Sequence, residues 1–483
     1  MEEQHQSLSD LQSSQAGAAA SDNRFFLAAA MRRHLELEAA SFHTPGHKGR
    51  LSVLSPDLPL NAAFDLTELP GLDELSDPAG PLAKLEEAAA KLYGAAASFI
   101  SVQGATGAIM AAVAATAGSG DSILLPRHCH RSVLQALSAT NLKPVWYEAD
   151  FDQAWQIYRQ VQPETIKQAI FEAEKNGRIA LTVVVSPTYT GDCSDLQEIA
   201  AIVHEHGHAL LVDEAHGSHL LPSPALRAGA DFVAQSLHKT LTALTQTGLL
   251  HIGYGCAIEK RRLKEELNRV TSSSPSYLLL ASIEAALALV SQSKQLENFE
   301  QLSFNLHRDL LKLARLNHIE ILSGNQDSLE DLQSFRKSFQ MRSYAHILIK
   351  PKEGSSQHLY DHLISRGIYP EAIFGKGVLL MLGLGSQDAD CAKLVQALQD
   401  YRVEAGASEA PGTFLVPFKF KLTPQQASQC RQILVSRHEA LGRISAQLRA
   451  PCPPGIPILV PGQEITKEVL ERSRLDEFLV VVS

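Results

Sequence analysis

Between Pro81 and Lys239, short apolar runs alternate with longer stretches in which apolar residues recur at helical spacing. ASFISV, DSILLP, PVWYEA, IALTVVVSP, ALLVDEA and DFVAQSL read as strands. PLAKLEEAAAKLYG, AIMAAVAATAG, TIKQAIFEAEKNG and LQEIAAIVHEHG read as helices, the first with proline near its start and Gly94 at its end. Strands that are apolar throughout, separated by helices, predict a largely parallel sheet covered on both faces. Two further helical stretches follow, EKRRLKEELNRV and YLLLASIEAALALV. From about Tyr344 the pattern restarts as strand, helix, strand, helix (HILIKP, LYDHLISRG, GVLLMLGL, CAKLVQALQDY), which predicts a second, smaller α/β domain. EAGASEAPG reads as a linker or surface loop. PPGIPILVPG, near the end, reads as a rigid segment laid over a neighbouring surface, as a cover for a site or as a docking element. No internal repeat is visible. The boundaries drawn from this are 1–23 for a flexible tail, 24–305 for a large domain with its N-terminal segment, 306–402 for the small α/β domain and 403–483 for a C-terminal segment.

A chain of 483 residues fits two or three cores better than one. Its 43 Lys and Arg face 53 Asp and Glu, a formal charge of −10 that argues against nucleic acid or an anionic membrane as the main partner. The six cysteines (Cys129, Cys193, Cys256, Cys391, Cys430 and Cys452) are scattered, unlike a disulfide framework or a zinc ribbon, and fit a reducing compartment. The acidic start MEEQHQSLSD does not read as a targeting signal, and Glu284 interrupts the longest apolar run, so the expected location is cytoplasmic.

Candidate chemistry lies where strands end. Lys239, in Ser236-Leu-His-Lys239, follows an apolar strand and is expected in the crevice outside the carboxyl ends of the strands, where open α/β sheets bind ligands. Asp213, in LLVDEAHGSH, also ends a strand. The GATG turn from Gly104 to Gly107 leads from strand to helix, where backbone N–H groups and the helix dipole favour a phosphate and Thr106 adds a hydroxyl. His130 follows DSILLP and places an imidazole at a third strand end. Taken singly, each is as readily a solvated charge, a turn cap or a strand terminator. Two literal motif matches lead elsewhere. His204-Glu-His-Gly-His208 spells H-E-x-x-H, but Gly207 reads as a helix cap before the strand ALLVDEA, so the two histidines should not share a helical face, and no metal is expected. Asp213 to His216 spells DEAH, but no phosphate-loop string accompanies it.

In this order, the strand-end residues resemble the ornithine/lysine/arginine decarboxylase family, the group III, fold-type-I decarboxylases dependent on pyridoxal 5'-phosphate, in its compact bacterial form. FHTPGHKG (Phe42 to Gly49), DLTELPGLDEL (Asp65 to Leu75), SLHKTLTALTQTGLLH (Ser236 to His251) and PPGIPILVPG (Pro453 to Gly462) are similar to that family's successive blocks, so the resemblance covers nearly the whole chain after the tail. It implies a large pyridoxal-phosphate-binding domain around a mostly parallel, mixed seven-stranded sheet, and active sites at the interface of a homodimer or a multiple of it. It implies that Lys239 carries the cofactor as a Schiff base, that Asp213 pairs with the pyridine nitrogen, that His130 stacks on the ring and that His216 lies beside it. Ala105, Thr106, Ser236 and His238 would hold the phosphate. The reaction implied is decarboxylation of a basic amino acid through an external aldimine and a quinonoid, with arginine the first choice of substrate, lysine the second and ornithine the third. Asp73, Glu74 and Glu371 are the candidate carboxylates for the substrate's distal cation. Departures from the family pattern fall at Leu237, Gly107, His128 and Cys452 and bear on the pocket and on activity. The rival readings are another fold-type-I reaction, such as that of an aminotransferase or lyase, and a pyridoxal-phosphate-binding protein without catalysis.

Overall fold

The structure, a computed structural model, describes residues 25–37, 45, 47–48, 62–118, 120–316, 318–322, 331–403, 419–451, 455–473 and 475–482. The expected tail, the linker EAGASEAPG, most of FHTPGHKG, Cys452 and the first two prolines of PPGIPILVPG lie outside the described residues.

The strands begin with β1 (Ala97–Ser101), β2 (Ser122–Pro126) and β3 (Lys143–Tyr147), followed by a two-residue hairpin, β4 (Phe151–Asp152) and β5 (Ile157–Tyr158). Next come β6 (Ile179–Val185), β7 (Ala209–Asp213), β8 (Phe232–Ser236) and β9 (Gly248–Ile252). Without the hairpin these form one seven-stranded sheet in the order β1-β9-β8-β7-β6-β2-β3. β9 runs antiparallel to both its neighbours, and the remaining pairs are parallel. The sheet is buried on both faces, and the two-residue period of a strand sorts side chains between them. In β7, Leu210 and Val212 enter one core and Leu211 the other; in β8, Val233 enters the first and Phe232 and Ala234 the second. This two-sided burial is why these segments read as continuous apolar runs.

β9 escapes the apolar pattern because it carries His251. That imidazole bonds Ser98 Oγ on β1 (2.6 Å) and Gln235 Oε1 on β8 (3.2 Å), and Gln235 Nε2 donates to Glu214 beyond β7 (2.7 Å). A satisfied polar line thus crosses β1, β9 and β8 and ends just past β7. β9 also needs Gly248: a Cβ there would stand 2.6 Å from Gly104 C and 2.8 Å from Ala105 N, so only glycine lets this strand and the start of the helix Gly104–Thr116 approach so closely.

The second sheet is antiparallel throughout, β10 (Ile319–Leu322), β11 (His346–Pro351), β13 (Gly377–Met381) and β12 (Ala372–Phe374), in that spatial order. Leu310, Leu359, Leu363 and Leu398 from three helices pack on it. The expected strand, helix, strand, helix are all present, and the short β10 and β12 flank them. The helix Ser293–Leu316 runs through the boundary drawn at 305/306, so that division falls inside a helix. A third unit pairs β14 (Gln432–Ser436) with β15 (Glu477–Val481) over its own small core, including Phe478 and Val480. Among the described residues, Cys129, Cys193, Cys256, Cys391 and Cys430 are free thiols, and no helix is long and apolar enough to cross a membrane.

Candidate active site

Because β2, β6, β7 and β8 are parallel, the segments that leave their carboxyl ends converge, and a cavity of ≈ 770 Å³ opens there. Asp213 closes β7 with its side chain in that cavity. Only 5% of the residue is exposed, and its carboxylate accepts from Ala215 N at 3.1 Å. Burial raises its carboxyl above the usual range, and the charge of Lys239 opposes that rise. After β8, the single turn Leu237–Thr240 brings Lys239 around to face β7, with Nζ 2.8 Å from His216 Nε2. Leu237, one of the departures, turns the other way: fully buried, it joins the core beside Val233 and Leu241. Burial of such a side chain contributes about 1.5–3 kcal/mol, so this departure serves the core and leaves the cavity wall unchanged.

After β2, His130 caps the helix Arg131–Ala139: its Nδ1 accepts from Ser132 N at 3.3 Å. Burial first, then the charges of Lys239 and Arg131, push this imidazole down to about 4, so it is neutral at pH 7. His128, another departure, is buried, lines the cavity and stacks on Tyr158 with centroids 5.1 Å apart. On the far side, the helix Gly104–Thr116 begins at Gly104 itself, one turn earlier than the Ala-rich pattern suggested. Ala105 and Thr106 therefore occupy its first turn, where backbone N–H groups have no partner within the helix. Gly107 is a departure with a steric reason, since a Cβ there would stand 2.8 Å from Gln103 Cβ. Ser236 and His238 line the same cavity, and His238 Nδ1 bonds Thr247 O at 3.1 Å. Every residue expected at a cofactor thus lines one cavity: Ala105, Thr106, His130, Asp213, His216, Ser236, His238 and Lys239.

The three candidate carboxylates separate. Glu371 reaches the cavity from the second sheet's side and accepts from Tyr189 Oη at 2.9 Å. Asp73 and Glu74 do not line it. The Asp73 carboxylate accepts from the backbone N–H groups of Ala79 (2.9 Å), Gly80 (2.7 Å) and Leu82 (3.0 Å), and Glu74 bonds Ser76 Oγ. The helix Pro81–Tyr93 starts at a glycine that has no side chain with which to cap it, and Asp73 supplies the missing acceptor. Asp73→Ala is therefore expected to lower stability by about 1 kcal/mol in denaturant unfolding, with KM unchanged.

Residues that sequence reasoning missed include Thr188, Tyr189 and Thr190, in the polar string that leaves β6, and His346, the first residue of β11. Ile456 lines the cavity, Gly455 O accepts from Arg131 N (3.0 Å) and Pro457 O from Arg127 (2.9 Å), so the described part of PPGIPILVPG packs on the loop that carries His130. The H-E-x-x-H string breaks as expected. Its helix ends at Glu205, His204 bonds Asp231 and His208 bonds Glu174. Of the DEAH string, Glu214 is held by Ser223 and Gln235 away from the cavity, and burial pushes it up to about 7.

The donor set fits a planar cofactor with an anionic arm: the first-turn N–H groups of Ala105 and Thr106, the hydroxyls of Thr106 and Ser236, the buried Asp213 carboxylate, the neutral His130 imidazole and the Lys239 amine all meet in one cavity.

Residues 26–346 match the family model described as Orn/Lys/Arg decarboxylase, major domain, and residues 412–479 match its C-terminal domain. The protein YaaO of Bacillus subtilis is 33% identical, over 92% of this chain and 93% of its own length. An arginine decarboxylase of the same organism is 31% identical over 91% of this chain and 90% of its own. Among solved structures, Escherichia coli constitutive lysine decarboxylase superposes with a TM-score of 0.74 at 20% identity, over 92% of this chain and 77% of that one. The Francisella novicida lysine decarboxylase LdcF gives 0.76 at 19%, over 95% and 82%; at these identities the two structures speak for the fold alone. Decarboxylases are carboxy-lyases, and by family model, relatives and fold together this chain belongs to the Orn/Lys/Arg decarboxylase family.

Proposed function

We propose that this chain is a pyridoxal-phosphate-dependent decarboxylase of a basic amino acid, arginine first, then lysine, then ornithine. The observation that carries the proposal is the convergence of the Lys239 amine, the buried Asp213 carboxylate and the open first turn at Ala105 and Thr106 on one cavity. Arginine leads because the B. subtilis relative that bears an assigned name over nearly its whole length is an arginine decarboxylase.

When bound, pyridoxal phosphate supplies an aldehyde that takes an amine covalently and a ring that draws electrons from Cα as CO2 leaves. The chain's residues do the rest. Lys239 is the amine that holds the cofactor and later hands a proton to Cα, and its Nζ is oriented by a hydrogen bond to His216 Nε2 at 2.8 Å. Asp213 keeps a negative charge beside the ring nitrogen, and Lys239 helps to maintain that charge against the effect of burial. His130, neutral and seated against Gly455, gives the ring a flat apolar face. The N–H groups of Ala105 and Thr106, with Ser236 and His238, bind the phosphate. Glu371, oriented by Tyr189, meets the distal cation of the substrate.

Glu371→Gln is expected to raise KM for arginine about tenfold, with kcat changed less, in steady-state assays. A homodimer or larger even-numbered assembly and a cytoplasmic location belong to the same proposal. The experiment that tests the reading is a release assay with arginine, lysine, ornithine and neutral amino acids. Amine and CO2 without keto-acid support it, keto-acid would indicate a transaminase, and no turnover with retained cofactor would indicate a binding protein.

A further inference from the structure

Lys239 is the first member of a line of hydrogen-bonded groups that leaves the cavity and runs toward the second sheet. His216 Nε2 lies 2.8 Å from its Nζ, and His216 Nδ1 lies 3.0 Å from His346 Nε2. His346 Nδ1 is 2.9 Å from Ser343 Oγ, which in turn is 3.2 Å from His219 Nε2. The members beyond Lys239 are all buried, none more than 5% exposed. The clamp on His346 is tight: a Cβ on Gly191 would stand 2.7 Å from His346 Cβ, and Ser343 N donates to Gly191 O at 2.6 Å.

A neutral imidazole has one N–H and one lone pair, so each bond fixes the next. Burial, together with the facing positive charge of Lys239 and the neighbouring His130, His219 and Arg342, holds His216 and His346 well below the ordinary histidine range. Burial alone brings His219 down to about 3. With all three neutral, donation from Lys239 to His216 Nε2 places the His216 proton on Nδ1, facing His346 Nε2. His346 then carries its proton on Nδ1 and donates to Ser343 Oγ. Ala345 N also donates to that oxygen at 3.3 Å, which leaves the hydroxyl proton to point at His219. The line ends blind: His219 Nδ1 has no hydrogen-bond partner among the described residues, and its ring is edged by Phe299 and Tyr344. A blind line orients its members but gives a proton no way out.

We infer that His346 and Ser343 are positioning residues, which fix His216 in the tautomer whose Nε2 lone pair faces the Lys239 amine. The inference rests on the role proposed above for Lys239. It predicts that the effect of substitution falls with distance along the line.

The test compares variants of the holoenzyme. His346→Leu cannot accept from His216 and is expected to lower kcat about 10–100-fold, with KM nearly unchanged. His346→Gln offers an amide oxygen to His216 Nδ1 and recovers most of that loss. Ser343→Ala falls between the two, and His219→Phe stays within about threefold of the wild type. A second readout is independent of turnover: the rate at which added pyridoxal phosphate attaches to the apoprotein, followed by visible absorbance against pH. In His346→Leu the midpoint of that profile moves to lower pH, because the Lys239 ammonium loses the oriented lone pair that stabilises its charged form. Equal losses in His346→Leu and His346→Gln, or a loss in His219→Phe as large as in His346→Leu, would overturn the inference. Attachment in the wild type with an unmoved midpoint in His346→Leu overturns the inference alone. No attachment in the wild type overturns the functional reading and the inference together.

Discussion

Lys239→Ala is expected to lower kcat by about 10²–10⁴-fold from the lost proton transfer alone, and to leave no amine in the cavity that can hold the cofactor covalently. The protein should remain folded. Lys239 is held by a bond to His216 at the cavity wall, whereas its neighbours Leu237 and Thr240 supply the buried contacts of that turn. Removing the side chain therefore subtracts chemistry more than packing. Circular dichroism and thermal unfolding of the variant should match the wild-type apoprotein, while amine formation is lost. A variant that unfolds would instead mark Lys239 as structural.

Asp213→Asn carries the second large effect. The substitution keeps the shape and the bond from Ala215 N but removes the charge proposed to face the ring nitrogen. Preorganised electrostatic groups of this kind are worth about 10²–10³-fold in kcat, and the buried site gives water little means to replace the charge. Attachment of the cofactor at Lys239 should survive, since that bond needs the amine and not the carboxylate. The pair of results separates the two roles: loss of attachment with Lys239→Ala, loss of turnover with attachment kept in Asp213→Asn. Adjacent Glu214, turned away to Ser223 and Gln235, marks how sharply a strand divides neighbours between site and core.

The parts of the site legible in the sequence are those whose chemistry and position share one short string. Asp213 and Lys239 each end an apolar run, so the strand pattern itself places them at the sheet's carboxyl edge. The family resemblance then supplied His216 and the roles of His130 and Ser236. What escaped was decided by long-range contact. His346 meets His216 across 130 residues of chain, and Tyr189 meets Glu371 across 182. No local pattern announces either. β9 was hidden by His251, a polar residue that only a sheet interior with Ser98 and Gln235 on either side can satisfy. Asp73 shows the reverse case. A carboxylate in a loop looked available for a cation, yet the helix that follows begins at Gly80-Pro81, with no side chain at its cap. Unfilled N–H groups there were themselves a signal that an acceptor had to come from upstream.

Lys239 is the proposed point of attachment of the cofactor. The most direct test of this proposal is borohydride reduction of the holoenzyme, followed by digestion and mass mapping. A single pyridoxyl adduct is expected, on the peptide that contains Lys239, and none in Lys239→Ala. An adduct on another lysine of the active enzyme, with Lys239 unmodified, would contradict it.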